Sequence, residues 1–420
     1  MSVRPEQERA LAAKALHKAL KKRRTTDQLL PDLPTPLARE LLFGALRRYL
    51  TLERSLRPLL KTPLRAKDHD LWCLMIVGAY QLEHSRVPDH AAVATTVGAC
   101  APLGKPWAKG LVNGVLRSFT RQSERSFGMQ DEFPDWLVAR LRTDYPKQWQ
   151  DILGASLARA PQALRINALR CSTAQYAKQL DAHGYPHEPG FTEAQLVLES
   201  PVPVAELPGY GRGLVSIQDA GAGLVTALLA PKPGSRLLDT CAAPGGKLFA
   251  MCEAYPDMAT PTALERHPAR VEHLNAEAKR LGHQADIREA DATTLDWWDG
   301  EPFDSVLVGA PCTGTGTLRR HPEIKLLQDR NELERLQALQ QALLAAAWHA
   351  LRPGGTLLYC TCSLFASEND IAIATFLNQT STAQAQAISL PTGMATEYGW
   401  QLLPTEPRTD GFYFALLRKE

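Results

Sequence analysis

The 420-residue chain has no charge-free apolar run long enough to cross a bilayer as a helix. Its first 24 residues carry ten charged side chains, from Arg4 to Arg24, and no unbroken apolar core. That excludes a secretory signal, and a cytoplasmic protein with no membrane partner is expected. Eight cysteines over this length are too few for a disulfide framework. Only Cys360 and Cys362 lie close together, and no His or Cys completes a zinc pattern around them, so free thiols and no metal are expected. Internal repeats and low-complexity tracts are absent too. What is present is ordinary globular composition, 45% hydrophobic and 22% charged, in a chain too long for one core; two or three domains follow.

The near-neutral total conceals a division. Residues 1–126 hold 22 Lys and Arg against 11 Asp and Glu, a net of +11, and the remainder carries −9. A basic block joined to an acidic one fits a domain that meets a polyanion and equally fits a solvated helical surface. Apolar residues recur there at helical spacing in Leu11, Ala15, Leu16 and Leu20, in Ala38, Leu41, Leu42, Leu46 and Leu50, and from Leu71 to Leu82. With prolines between these runs, 1–128 reads as an all-α domain of about five to seven helices. A polar stretch from Gln122 to Pro134 has the composition of a hinge. Residues 129–211 join a helical stretch, Trp136 to Leu157, to strand-like Ala163 to Asn167 and Gln195 to Leu198, a small α/β module. From 212 to 420, strands at Arg236 to Asp239, Thr260 to Glu265, Ala285 to Glu289, Phe303 to Val308 and Gly355 to Cys362 alternate with helical Arg266 to Leu281 and Leu326 to Leu351. Such alternation predicts a Rossmann-like parallel sheet covered on both faces, with ligands at the carboxyl ends of its strands.

Chemistry-bearing residues gather at those ends. After the first strand come Cys241, Ala242, Ala243, Pro244, Gly245, Gly246 and Lys247, small residues that let a ligand approach a helix N-terminus, although a Gly-rich turn alone can be only a tight turn. Glu265 closes the second strand, where nucleotide-binding sheets place an acid for ribose hydroxyls, and Asp291 follows the third. Either acid alone reads as a helix cap; the three features at consecutive strand ends favour a cofactor crevice. Cys312 lies in APCTGTG at 310–316 after the fourth strand, and Cys362 ends the fifth in YCTCS at 359–363. Cysteines are commonly inert core thiols, but a loop bounded by Pro and Gly gives Cys312 little reason for burial. Cys360 and Cys362 share a strand face, so spacing does not say which one is reactive.

CAAPGGK at 241–247, APCTGTG at 310–316 and TCS at 361–363 together resemble the RNA cytosine-C5 methyltransferases of the bacterial RsmB (Sun/Fmu) group. LRIN at 164–167, VSIQD at 215–219, RRHPEIK at 319–325 and DGFYF at 410–414 extend the resemblance over about 130–420, and the first third is similar to a NusB-type RNA-binding domain. The resemblance implies a multidomain protein: a NusB-like helical domain, a small α/β module, and a class I S-adenosylmethionine-dependent methyltransferase domain. It implies 16S ribosomal RNA as the substrate, with transfer RNA as an alternative; a monomer is expected. Cys362 would be the nucleophile, and Cys312 would assist proton removal. The 241–247 loop would line the methionine and ribose side of S-adenosylmethionine, Glu265 the ribose and Asp291 the adenine, with Gly309 beside them; Cys360 would be structural.

This chemistry needs two polar groups at one base. Carbon 5 of cytosine is a poor nucleophile until a thiolate adds at carbon 6, and a second group must then remove the carbon 5 proton. The family usually has Asp before Ala-Pro-Cys, where this chain has Gly309. Losing one transition-state hydrogen bond costs on the order of hundredfold in rate, so a weakened enzyme or an RNA-binding assembly factor is a second reading. The target base must be unpaired or flipped. Arg319, Arg320 and Lys325, with His321, read either as a clamp for its phosphates or as an ordinary charged helix start.

Overall fold

The computed structural model describes residues 3–122 and 126–420, so 123–125 of the stretch read as a hinge lie outside the described residues. Two compact units emerge, Met1–Ala158 with Leu318–Gln328, and Arg159–Thr317 with Asp329–Glu420. No described helix is long and apolar enough to cross a membrane.

The first unit is helical: α1 (Pro5–Lys22), α2 (Thr26–Leu29), α3 (Pro36–Arg47), α4 (Tyr49–Leu56), α5 (His69–His84), α6 (Asp89–Gly98), α7 (Lys109–Thr120), α8 (Asp135–Asp144) and α9 (Trp149–Leu157). Prolines open α1 and α3, where a missing N–H costs nothing, and Thr35 caps α3 by accepting from the Ala38 amide at 3.2 Å. Every residue of α5 from Leu71 to Gln81 is buried. A helix apolar all round belongs in the middle of a bundle, and Ala12, Leu16 and Ala19 of α1 share its core. The helical stretch expected from Trp136 breaks between α8 and α9 at Tyr145–Gln148, around Pro146.

The second unit begins with β1 (Gln162–Ile166), α10 (Thr173–Ala182), β2 (His187–Pro189), β3 (Gln195–Leu198) and β4 (Val215–Ile217). These strands form an antiparallel sheet of order β2-β3-β1-β4. The helical stretch expected from Trp136 thus falls in the first unit, as α8 and α9, and the strands of the 129–211 module in the second, with α10 as a further helix there. The chain continues through α11 (Val225–Leu229), β5 (Leu237–Asp239), α12 (Gly246–Ala254), β6 (Thr262–Glu265), α13 (Pro268–Leu281), β7 (Asp286–Glu289) and β8 (Phe303–Gly309). After α14 (Ile324–Leu327), which belongs to the first unit, come α15 (Arg330–Ala350), β9 (Leu351–Thr361), α16 (Asp370–Gln379), β10 (Ala383–Gln386), β11 (Met394–Ala395), β12 (Trp400–Leu402) and β13 (Phe412–Lys419).

The large sheet runs β11-β12-β13-β9-β8-β5-β6-β7, with β10 on β13. From β7 to β9 it is parallel, as expected. The C-terminal strands correct the all-parallel expectation, because β13 pairs antiparallel with β9, β10 and β12. The run from Phe412 to Leu417 is apolar on both faces, and such a run fits a central strand of either direction. Strand order reverses between β5 and β8, which opens a crevice outside their carboxyl ends. The expected helix from Leu326 to Leu351 is divided: Asp329 caps α15 by accepting from the Glu332 amide at 2.9 Å, and Leu326 and Leu327 lie in α14.

Candidate active site

A cavity of about 440 Å³ occupies this crevice, lined among others by Cys241, Lys247, Glu265, Asp291, Gly309, Cys312, Cys360 and Cys362. Its volume suits a nucleoside-sized ligand. At the end of β5, Asp239 is fully buried, its carboxyl pushed up to about 6 by desolvation and partly restrained by the charge of Lys247. Ala242 and Gly245 shape the loop: the Ala242 amide donates to the Leu264 carbonyl at 3.0 Å and Gly245 to Ala242 at 2.7 Å. Gly245 sits at φ +98°, and a Cβ there would strike the Phe249 ring at 2.3 Å, so only glycine fits. Pro244 is exposed, and Gly246 begins α12.

Arg165 braces that helix start. Its guanidinium grips both oxygens of Glu253, at 2.7 and 3.0 Å, and donates to the Gly246 carbonyl and to Gln218 Oε1. The charge of Arg165 is buried yet fully paired, in a fork-to-carboxylate geometry that fixes position as well as energy. Glu265 at the end of β6 is also buried, accepting from the His267 amide at 2.9 Å. Asp291, beyond β7, accepts from the Thr293 amide and hydroxyl at 2.9 and 2.7 Å, which hold its carboxylate below the ordinary range.

The two cysteine loops meet because β8 and β9 are paired. Gly309 lies opposite Cys360, and the Ala310 amide donates to the Cys360 carbonyl at 2.9 Å. Farther along, the Gly316 amide donates to the Cys362 carbonyl at 2.8 Å, and a Cβ on Gly316 would come within 2.2 Å of the Gly411 carbonyl. This close approach brings Cys312 Sγ to 3.4 Å from Cys362 Sγ. The pair is asymmetric. Cys362 lies below its ordinary value because Cys312 donates to it, with the charge of Lys247 assisting against burial. Cys312 is held well above the ordinary value by that same hydrogen bond and by burial. Cys360 is pushed up to about 11 by burial, so its thiol is poorly suited to ionise.

The comparisons with known proteins agree along the chain. Residues 226–418 match the family model described as 16S rRNA methyltransferase RsmB/F, 133–205 the ferredoxin-like domain of the same family, and 6–121 the NusB family. Among curated relatives, ribosomal RNA small subunit methyltransferase B of Salmonella arizonae is 39% identical, with 98% of each chain covered. Its namesake from Shewanella oneidensis is 38% identical over 98% of this chain and 99% of its own. The chain belongs to the RsmB/F family of 16S rRNA methyltransferases. Its second unit has the S-adenosylmethionine-dependent methyltransferase fold, and its helical domain is NusB-like. A solved structure, a methyltransferase homologue from Pyrococcus horikoshii, superposes with a TM-score of 0.61 at 25% identity, over 69% of this chain and 96% of that one.

Within this RsmB/F site, the sequence reading missed Glu368. Its fully buried carboxylate accepts from the Thr313 amide at 2.9 Å, from the Thr313 and Ser363 hydroxyls, and from Gln340 Nε2 at 3.1 Å. Thr313 follows Cys312 and Ser363 follows Cys362, so one acid ties down the neighbours of both sulfurs. Burial raises its carboxyl above the ordinary value, with the hydrogen bonds opposing. An acid shortly after β9 was the available signal, but its partners Thr313 and Gln340 are remote in sequence.

The expected phosphate clamp fares differently. Arg319 and Lys325 are 5% and 3% exposed, both inside the helical unit, and Arg320 is half-buried. Lys325 Nζ donates to the Arg47 carbonyl at 2.6 Å and to the Glu132 carbonyl, over the ring of Phe133. Nor do Arg319 and Arg320 begin a helix: α14 starts at Ile324, with Lys325 as its second residue, after Glu323, which accepts from the Thr26 amide at 2.8 Å. Arg319 and Lys325 are therefore committed to packing and offer no charge to a phosphate, which corrects that expectation.

Proposed function

We propose that this enzyme methylates carbon 5 of a cytosine in 16S rRNA through a covalent adduct between Cys362 and carbon 6. The observation that carries the reading is the 3.4 Å approach of two sulfurs with opposed proton affinities at a pocket fitted for a nucleoside. The residues fit S-adenosylmethionine: Glu265 would accept from ribose hydroxyls, Asp291 from the adenine amino group, and the glycine cradle at 245 and 246 would admit the methionine end. When bound, the cofactor supplies an electrophilic methyl group on a sulfonium.

Cys362, as thiolate, adds to carbon 6 and makes carbon 5 enamine-like. Once its sulfur is bonded to carbon, the thiolate charge that held Cys312 protonated is gone, and Lys247 remains to favour a second thiolate. Cys312 then gives its own proton to solvent water; after carbon 5 has gained the methyl group, the Cys312 thiolate takes the carbon 5 proton, and the electron pair left behind forms the 5,6 double bond and expels Cys362 as thiolate. Lys247 Nζ lies 3.4 Å from where a Cβ on Gly309 would be, free of the partner that the family's aspartate would provide. The pocket can therefore direct this cation at the base or the thiols.

The test is Cys362→Ala with labelled S-adenosylmethionine and unmodified small-subunit RNA. Label on cytosine carbon 5 is expected with the parent and none with the variant, at equal cofactor affinity; retained activity excludes Cys362 as nucleophile. Bulk transfer RNA in parallel separates the two substrates.

A further inference from the structure

The helical unit carries a groove of about 880 Å³ remote in sequence from the candidate active site, between the 59–68 loop and one face of α7. Trp107, one turn before that face, is 63% exposed, the most exposed large hydrophobic side chain among the described residues, and Leu111 beside it is 38% exposed. The exposed indole offers a flat apolar face on which another planar ring can stack. Across the groove stand Lys61, Arg65 and Lys67, all exposed and making no side-chain hydrogen bond or ion pair among the described residues. The acid on its wall, Asp68, is occupied by Lys105 Nζ at 2.6 Å. A Cβ built on Gly110 or Gly114 meets nothing within 4 Å, so the floor beside the indole is open.

We propose that this groove binds an unpaired segment of the RNA substrate, with a base stacked on Trp107 and the flanking phosphates on Lys61, Arg65 and Lys67. An apolar ring answered by unpaired cations matches a strand whose bases and phosphates are both accessible, and a duplex hides the bases. A protein partner would not need three cations free of ion pairs in a domain already at a net of +11 over 1–126. The proposal rests on the RNA-methylation reading only for the identity of the polyanion.

The test uses the full chain and a fluorescein-labelled oligouridine of about twelve nucleotides, alone and annealed to its complement. Trp107→Ala should weaken single-strand binding about tenfold, with Trp107→Phe restoring most of it and the duplex little affected. The triple change of Lys61, Arg65 and Lys67 to Gln should lower the slope of log affinity against log salt by about two. Affinity within twofold of the parent for Trp107→Ala, equal losses on duplex and single strand, or an unchanged salt slope would each overturn the proposal. No methyl transfer is read, so a failed groove leaves the Cys362 mechanism standing, and a failed Cys362 test leaves these affinities unmoved.

Discussion

Replacing Glu368 by Ala strips one acceptor from four donors at once. Two of these can turn elsewhere, since Ser363 Oγ lies 3.2 Å and Thr313 Oγ1 3.4 Å from Thr315 Oγ1. The Thr313 amide loses the Glu368 acceptor at 2.9 Å, and Gln340 Nε2 keeps the Pro311 carbonyl at 2.9 Å. An orphaned buried donor costs about 1–3 kcal/mol, and the emptied carboxylate volume adds to this, while relief of a buried charge subtracts. We expect about 3 kcal/mol, a drop in Tm of about 6–12 °C by calorimetry. The kinetic effect should be larger in kind: a shift of about 1 Å in the Cys312 loop lowers kcat on the order of hundredfold with cofactor affinity unchanged. Glu368→Gln keeps two of the acceptor contacts and removes a negative charge that raises both thiols. Its rising limb of activity against pH should therefore move to lower pH. Parental kcat and Tm in Glu368→Ala would refute the positioning argument.

Other consequences follow from the same geometry. Cys312→Ala should leave the carbon 5 proton in place, so that methylated adduct accumulates as a protein–RNA band stable to denaturing electrophoresis; a variant that turns over without such a band would show that another group takes the proton. In the same variant Cys362 loses its hydrogen-bond donor, and the midpoint of its alkylation rate against pH should rise. Gly309→Asp places a carboxylate against Lys247 and should raise kcat by about ten- to hundredfold; no gain would mean that Lys247 already fills the role. Burial holds Lys325 at about 7 against an ordinary 10.5, so between these values the unfolded chain binds more protons than the folded one. Stability of the helical unit should accordingly rise with pH across that window, and Lys325→Met should flatten the rise.

Periodicity and punctuation sufficed for the elements themselves. The seven helices preceding residue 121, the parallel strands β5 to β9 and the loops at their carboxyl ends are local properties of 3.6- and 2-residue patterns, and the alternation of strand and helix dictated where a crevice would open. Periodicity does not carry direction for a strand buried on both faces, and so the antiparallel entry of β13 was invisible. Likewise, a run of cations reads as surface until its partners are known. Lys325 finds carbonyls at Arg47 and Glu132, far away along the chain, and the sequence holds no trace of that meeting. The same limit applies at the centre. Two cysteines at neighbouring strand ends were legible, but their 3.4 Å separation, their opposed proton affinities and the acid that fastens both loops arise from the register of β8 on β9 and from the packing beyond it. Local pattern is written residue by residue, whereas register and burial are settled only when distant segments compete for the same space.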